Sequence, residues 1–146
     1  MNTRIFGLET EYAIFHDGPG PDIPNHKTLF NQIHRALTRR VRSLMALYHK
    51  GGDFLENGSL IHYESQPAHW LHGVLEWATP ECSTPRELLA YSRSQMRVLP
   101  ELAAEAEQAL ASAGCPGHIV LVKNNVDADG NSYGSHENYF VEDRMS

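Results

Sequence analysis

With 146 residues, 41% of them hydrophobic, the chain has the length and composition of one soluble domain, or a piece of a larger one, able to bury a real core. Its net charge of -6 comes without a basic block long enough to track a phosphate backbone, which speaks against a nucleic-acid partner; RALTRRVR, from Arg35 to Arg42, reads as the solvated face of a helix. No stretch is apolar for long enough to span a bilayer and MNTRIFGLETEY lacks the core of a signal peptide, so no membrane partner and a cytoplasmic location are expected.

The first predicted element is a strand over residues 4–15, rich in β-branched and aromatic side chains. It contains GLETEY, in which Glu9 and Glu11 lie two apart and therefore on one face, opposite Leu8, Tyr12 and Ile14. Two like charges about 7 Å apart on a half-buried sheet repel each other and lose hydration. Either a divalent cation compensates them, or the face is simply solvated.

HDGPGPDIPNH, from His16 to His26, concentrates Gly and Pro and reads as a loop. Leu29, Ile33, Leu37, Val41, Leu44 and Tyr48 then recur at helical spacing, predicting one helix from Thr28 to His49, ended by Gly51 and Gly52. DFLENGSLIHYE predicts a hairpin turning at Asn57-Gly58, with Leu60, His62 and Glu64 on one face and Ile61 and Tyr63 on the other. SQPAHWLHG interrupts, and VLEWATPEC resumes as a strand up to Pro80. Alternation sets Glu76 and Thr79 on opposite faces of that strand unless it twists or bulges near Pro80.

STPRELL is a helix start: Thr84 caps, Pro85 suits the first turn and Glu87 completes a capping box. The helix is expected to bend near Pro100 and stop at Gly114. HIVLVKN reads as a short buried strand and NYFVED as another. The order strand, helix, hairpin, helix, strand, loop, strand is an α+β plan, with helices covering one side of a mostly antiparallel sheet and Glu9, Glu11, His62 and Glu64 on the other.

Nine histidines, several beside carboxylates, keep metal binding open, whereas Cys82 and Cys115 have no zinc-type spacing and are expected as free thiols. Four segments place carboxylates or imidazoles on strands or strand ends: ETE, HYE, LEWATPE and SHENY. Their convergence on one sheet face would supply the oxygen ligands, with an imidazole, that a divalent metal holding nucleotide phosphates needs. DADGN opens like a calcium loop, but the following glutamate is not spaced as an EF-hand requires. His136 and Glu137 sit at the exit of that loop, and Asn124, Asn125 and Asn138 can be read as satisfying loop backbone groups. A nucleophilic role for Cys82, with His69 or His72 as base, rests on sequence proximity alone.

RIFGLETEYAI, FLENGSLIHYE, LEWATPEC and KNNVDADGNSYGSHENYF together resemble the Pup ligase and depupylase family, PafA and Dop, collinearly over nearly the whole chain. The resemblance implies a curved, glutamine-synthetase-like sheet that holds ATP and Mg²⁺ and activates a glutamate carboxylate of a small Pup-like modifier for attack by a lysine of an acceptor protein. Matched residue by residue, it implies metal ligands at Glu9 and Glu76, an ATP contact at Thr79 and a histidine near the metal at His136. Leu60, His62 and Glu64 stand where the family has an ATP-contacting arginine, a metal-binding tyrosine and a catalytic aspartate. His62 is therefore expected to ligate metal and Glu64 to act as the base, with its carboxylate one methylene further out. The short span from Glu11 to Glu64 and the GNSYG stretch resemble the ligase branch. A Dop-type amidase and a noncatalytic nucleotide-binding homologue are the alternatives. Family members run several times longer, so residues 1–146 are expected to form the N-terminal portion of one cradle domain, incomplete without later strands and a C-terminal domain.

Overall fold

A computed structural model describes residues 4–46, 52–65, 73–123 and 135–140. The chain folds as β1 (Ile5–Asp17), α1 (His26–Arg40), β2 (Ser43–Met45), β3 (Asp53–Leu55), β4 (Leu60–Ser65), β5 (Gly73–Ala78), α2 (Pro85–Ser112), β6 (His118–Val122) and β7 (Ser135–Phe140). All seven strands join one sheet in the order β2-β3-β4-β5-β1-β6, with β7 also on β1, and every pairing is antiparallel. This is the expected α+β plan. β6 and β7 succeed each other along the same edge of β1: β6 pairs with Ala13 to Asp17 and β7 with Ile5 to Thr10.

Both helices pack on one face. Tyr12, Ile14, Ile61, Leu75, Trp77 and Ile119 of the sheet form one core with Leu29, Phe30, Ile33, Leu37, Leu99, Leu102 and Leu110 of the helices. Strand alternation places those sheet residues there and leaves the opposite face to their neighbours in sequence. α2 starts as expected: the Thr84 side chain accepts from the Glu87 amide and the Glu87 carboxylate accepts from the Thr84 amide at 3.2 Å. It continues through Pro100 as a single element.

α1 is shorter than the apolar spacing predicts. It opens with the Asn25 side chain accepting from the Thr28 amide at 2.8 Å and ends at Arg40, where Val41 is already extended at φ -132 and ψ 150. Leu44, which continues the helical spacing, is instead a strand residue opposite Phe54 and 75% exposed. Pairing with β3 overrides the periodicity here, and Tyr48, His49 and Gly51 lie outside the described residues. Gly52 lets the chain lie close to β4, because a Cβ there would sit 2.5 Å from that of His62. The hairpin turn is as expected: Gly58 has φ +86 and the Asn57 side chain accepts from the Ser59 amide. β6 is an edge strand with only Ile119 buried, not a buried one, since β1 covers one side of its ladder and no described strand the other. SQPAHWLH and the DADGN loop lie outside the described residues.

Candidate functional site

Cross-strand register assembles the open face of the sheet. Glu76 of β5 stands between His62 of β4 and Glu11 of β1, so these side chains form one row. One step along the strands, Ala78 pairs with Leu60 and with Glu9, and Glu9 pairs with His136 of β7. In the other direction Glu64 pairs with Val74. Opposed residues in antiparallel strands share a face, so Glu9, Glu11, His62, Glu64, Glu76 and His136 all lie on the side away from the helices.

Within this face the groups fall into two neighbouring clusters. His62, Glu64 and Glu76 each offer a ligand atom, all within 4.8 Å of one another. His62 Nε2 is 3.5 Å from Glu76 Oε2, and both side chains are only 9% exposed. Burial, followed by a hydrogen bond with Glu64 and the charges of Glu9, Glu64 and Glu11, pushes the Glu76 carboxyl up to about 7. A buried carboxyl hemmed in by like charges with an imidazole beside it suits a hard divalent cation, which would offset the repulsion that raises it. His62, Glu64 and Glu76 could thus hold a divalent cation.

The second cluster is built on Glu9. His136 Nδ1 lies 3.2 Å from Glu9 Oε2, and Asn138 Nδ2 donates to Glu9 Oε1 at 3.1 Å. Asn138 opens NYFVED, the segment expected as a strand. It is on β7, and the detectable signal was the period-2 spacing of His136 and Asn138 facing the Glu9 side of β1. Glu137, between them, points the other way and accepts from the Tyr139 hydroxyl.

Thr79 follows the end of β5. It is buried, its Oγ1 accepts from the Leu8 amide at 3.1 Å, and it lines a cleft with Glu9, Ala78, Glu81 and Asn138. Glu76 does not line that cleft, in keeping with the opposite parity of Glu76 and Thr79. Cys82 does not suit a nucleophile: it is 1% exposed, its Sγ donates to the Pro80 carbonyl, and burial raises its pKa. His69 and His72 lie outside the described residues.

The Pup-ligase protein profile matches residues 4–146. The Pup–protein ligase of Sanguibacter keddieii is 43% identical over 145 residues, covering 97% of this chain and 29% of that relative. The enzyme of the same name from Xylanimonas cellulosilytica is 38% identical over 143 residues, with 97% and 28% covered. The crystal structure of the complex between the prokaryotic ubiquitin-like protein Pup and its ligase PafA superposes with a TM-score of 0.69 at 30% identity, over 99% of this chain and 26% of that one. The chain thus spans between a quarter and a third of the length of these relatives. By profile, sequence and fold together, the chain belongs to the Pup-ligase protein family.

Proposed function

We propose that this chain forms the metal- and nucleotide-binding sheet of an ATP- and Mg²⁺-dependent cytoplasmic ligase, one that joins a glutamate carboxylate of a Pup-like modifier to a lysine amine of an acceptor protein. The observation that carries the reading is the register: β4, β5, β1 and β7 deliver His62, Glu76, Glu9 and His136 to one face. Family membership supports the reaction class.

In this reading the γ-phosphoryl group of ATP passes to the donor carboxylate, ADP leaves, and the amine then displaces phosphate from the acyl carbon to form the isopeptide bond. Bound Mg²⁺ would supply charge neutralisation for the phosphate oxygens. Glu76 and His62 hold the buried end of the site and Glu9 and His136 its open end. Glu64 takes the proton that the attacking amine releases. Thr79, whose oxygen accepts from the Leu8 amide and whose hydroxyl also hydrogen-bonds the Cys82 side chain, would turn its hydroxyl hydrogen from that sulfur to a phosphate oxygen in the cleft.

The test combines Mg·ATP, a modifier ending in glutamate and a lysine-bearing acceptor with the chain and with the longest product of its reading frame. Amine-dependent phosphate release with a new isopeptide bond by mass spectrometry is the expected result. Amide cleavage without net ATP consumption would replace the ligase with a Dop-type hydrolase, and nucleotide binding without turnover would leave a noncatalytic homologue.

A further inference from the structure

The Glu9 carboxylate is gripped from one strand at both oxygens. β7 presents His136 directly opposite Glu9 and Asn138 two residues on, opposite Gly7. Gly7 carries no side chain, so nothing on β1 stands between the Asn138 amide and the Glu9 carboxylate on the shared face, and the 3.1 Å hydrogen bond crosses that diagonal. β7 is seated from its other side by Tyr139, which meets the Phe6 ring edge-on at 5.7 Å between centroids.

The chemistry of the two partners differs in a useful way. The Asn138 amide is a neutral donor, so it fixes the plane of the carboxylate without cancelling its charge. A lysine or arginine in its place would neutralise Glu9 and compete with a cation. His136 approaches with Nδ1, which leaves Nε2 as the nitrogen able to reach a metal, in the manner of a carboxylate-oriented histidine ligand.

We infer that Asn138 is a positioning residue: its side-chain amide holds the Glu9 carboxylate in the orientation that presents it, and His136 beside it, to the divalent cation. The inference rests on the metal site of the proposed function. Asn138 itself acts through Glu9 and not on the substrate.

Mn²⁺ alone serves as the probe, titrated calorimetrically into the chain. Asn138→Ala should weaken Mn²⁺ binding about tenfold, with an unchanged thermal melting profile for the metal-free chain. The same replacement made on top of Glu9→Gln should cost nothing further, because the group it positions has lost its charge. Asn138→Gln, which keeps the donor, should recover part of the loss. In nuclear magnetic resonance spectra, the Asn138 side-chain amide signals should move on Glu9→Gln. A loss that persists undiminished in the Glu9→Gln background would show a structural role and overturn the inference. So would Mn²⁺ affinity that ignores Asn138→Ala while Glu76→Gln abolishes it, an outcome that leaves the metal site standing. No Mn²⁺ binding by the parent chain would overturn both.

Discussion

Leu75 and Glu76 are neighbours on the central strand β5, point to opposite faces of the sheet, and are almost equally hidden from solvent at 0% and 7% exposure. What hides them is different. Leu75 is covered by the apolar side chains of two helices, whereas Glu76 is covered by His62, Glu64 and the carboxylates of β1. One face is therefore complete on its own and stabilises the fold by burial. The other gathers repelling groups that the helix face holds in place.

The largest effect expected from breaking this division is on the helix face. Leu75→Ala should cost about 2–5 kcal/mol in urea unfolding, a large share of what keeps a domain folded. The Mn²⁺ affinity of the molecules that remain folded should not change. An affinity loss matching that of Glu76→Gln would show that the two faces are not separable.

Glu76→Gln should do the reverse. Removing a ligand from the buried cluster should weaken Mn²⁺ binding by roughly a hundredfold, at the upper end of what supporting residues cost, while the metal-free fold gains stability at neutral pH. The sign follows from the raised carboxyl pKa. The folded chain holds the Glu76 proton up to about pH 7 while the unfolded chain releases it near the ordinary 4.5. Stability from this group is therefore fully present below about pH 4.5 and is lost as the pH rises through about 7. Melting temperatures of the chelator-treated chain at pH 4.5 and pH 8 should differ more for the parent than for Glu76→Gln. Equal differences would mean that Glu76 is ionised at ordinary acidity and the crowding is harmless.

Glu64→Asp sharpens the division within the open face. If Glu64 is a base held too far out by its extra methylene, shortening it should raise amine-dependent phosphate release, by up to roughly a hundredfold for an ångström of misplacement. If Glu64 serves instead as the third member of the His62–Glu76 cluster, the shorter carboxylate should weaken Mn²⁺ binding and leave turnover no better. Calorimetry and the phosphate assay on the same variant separate the two.

The helix face was the more legible in sequence, because burial leaves a periodic apolar signature that Ile61, Leu75 and Leu29 all follow. It failed at Leu44, where helical spacing continued by coincidence into an exposed edge strand; periodicity records which residues can share a face and not which partner claims them. The open face was legible only in pieces. Period-2 alternation put Glu9 with Glu11 and His62 with Glu64, but the registers that place Glu76 between His62 and Glu11 and bring His136 opposite Glu9 are long-range pairings no local pattern encodes. Asn138 fell within NYFVED, expected as a strand, but its bond to Glu9 depends on the β1–β7 register, which no local pattern encodes.

Thr79 lies on the boundary between the two faces and tests it most finely. Its amide donates to the Leu8 carbonyl at 2.8 Å and its hydroxyl accepts from the Leu8 amide, so it closes the end of the β1–β5 ladder. Thr79→Val keeps the shape and the backbone bond but removes the hydroxyl acceptor. It should cost about 1 kcal/mol in urea unfolding, and Thr79→Ser should be close to neutral. The nucleotide reading adds a separate expectation, because the hydroxyl hydrogen, shared with the Cys82 sulfur, is the donor Thr79 could offer a phosphate. Thr79→Val should then weaken Mg·ATP binding while leaving Mn²⁺ affinity intact, and Thr79→Ser should preserve both. A valine variant that loses stability but binds Mg·ATP like the parent would assign Thr79 wholly to the fold and move the phosphate contact to another residue of the cleft.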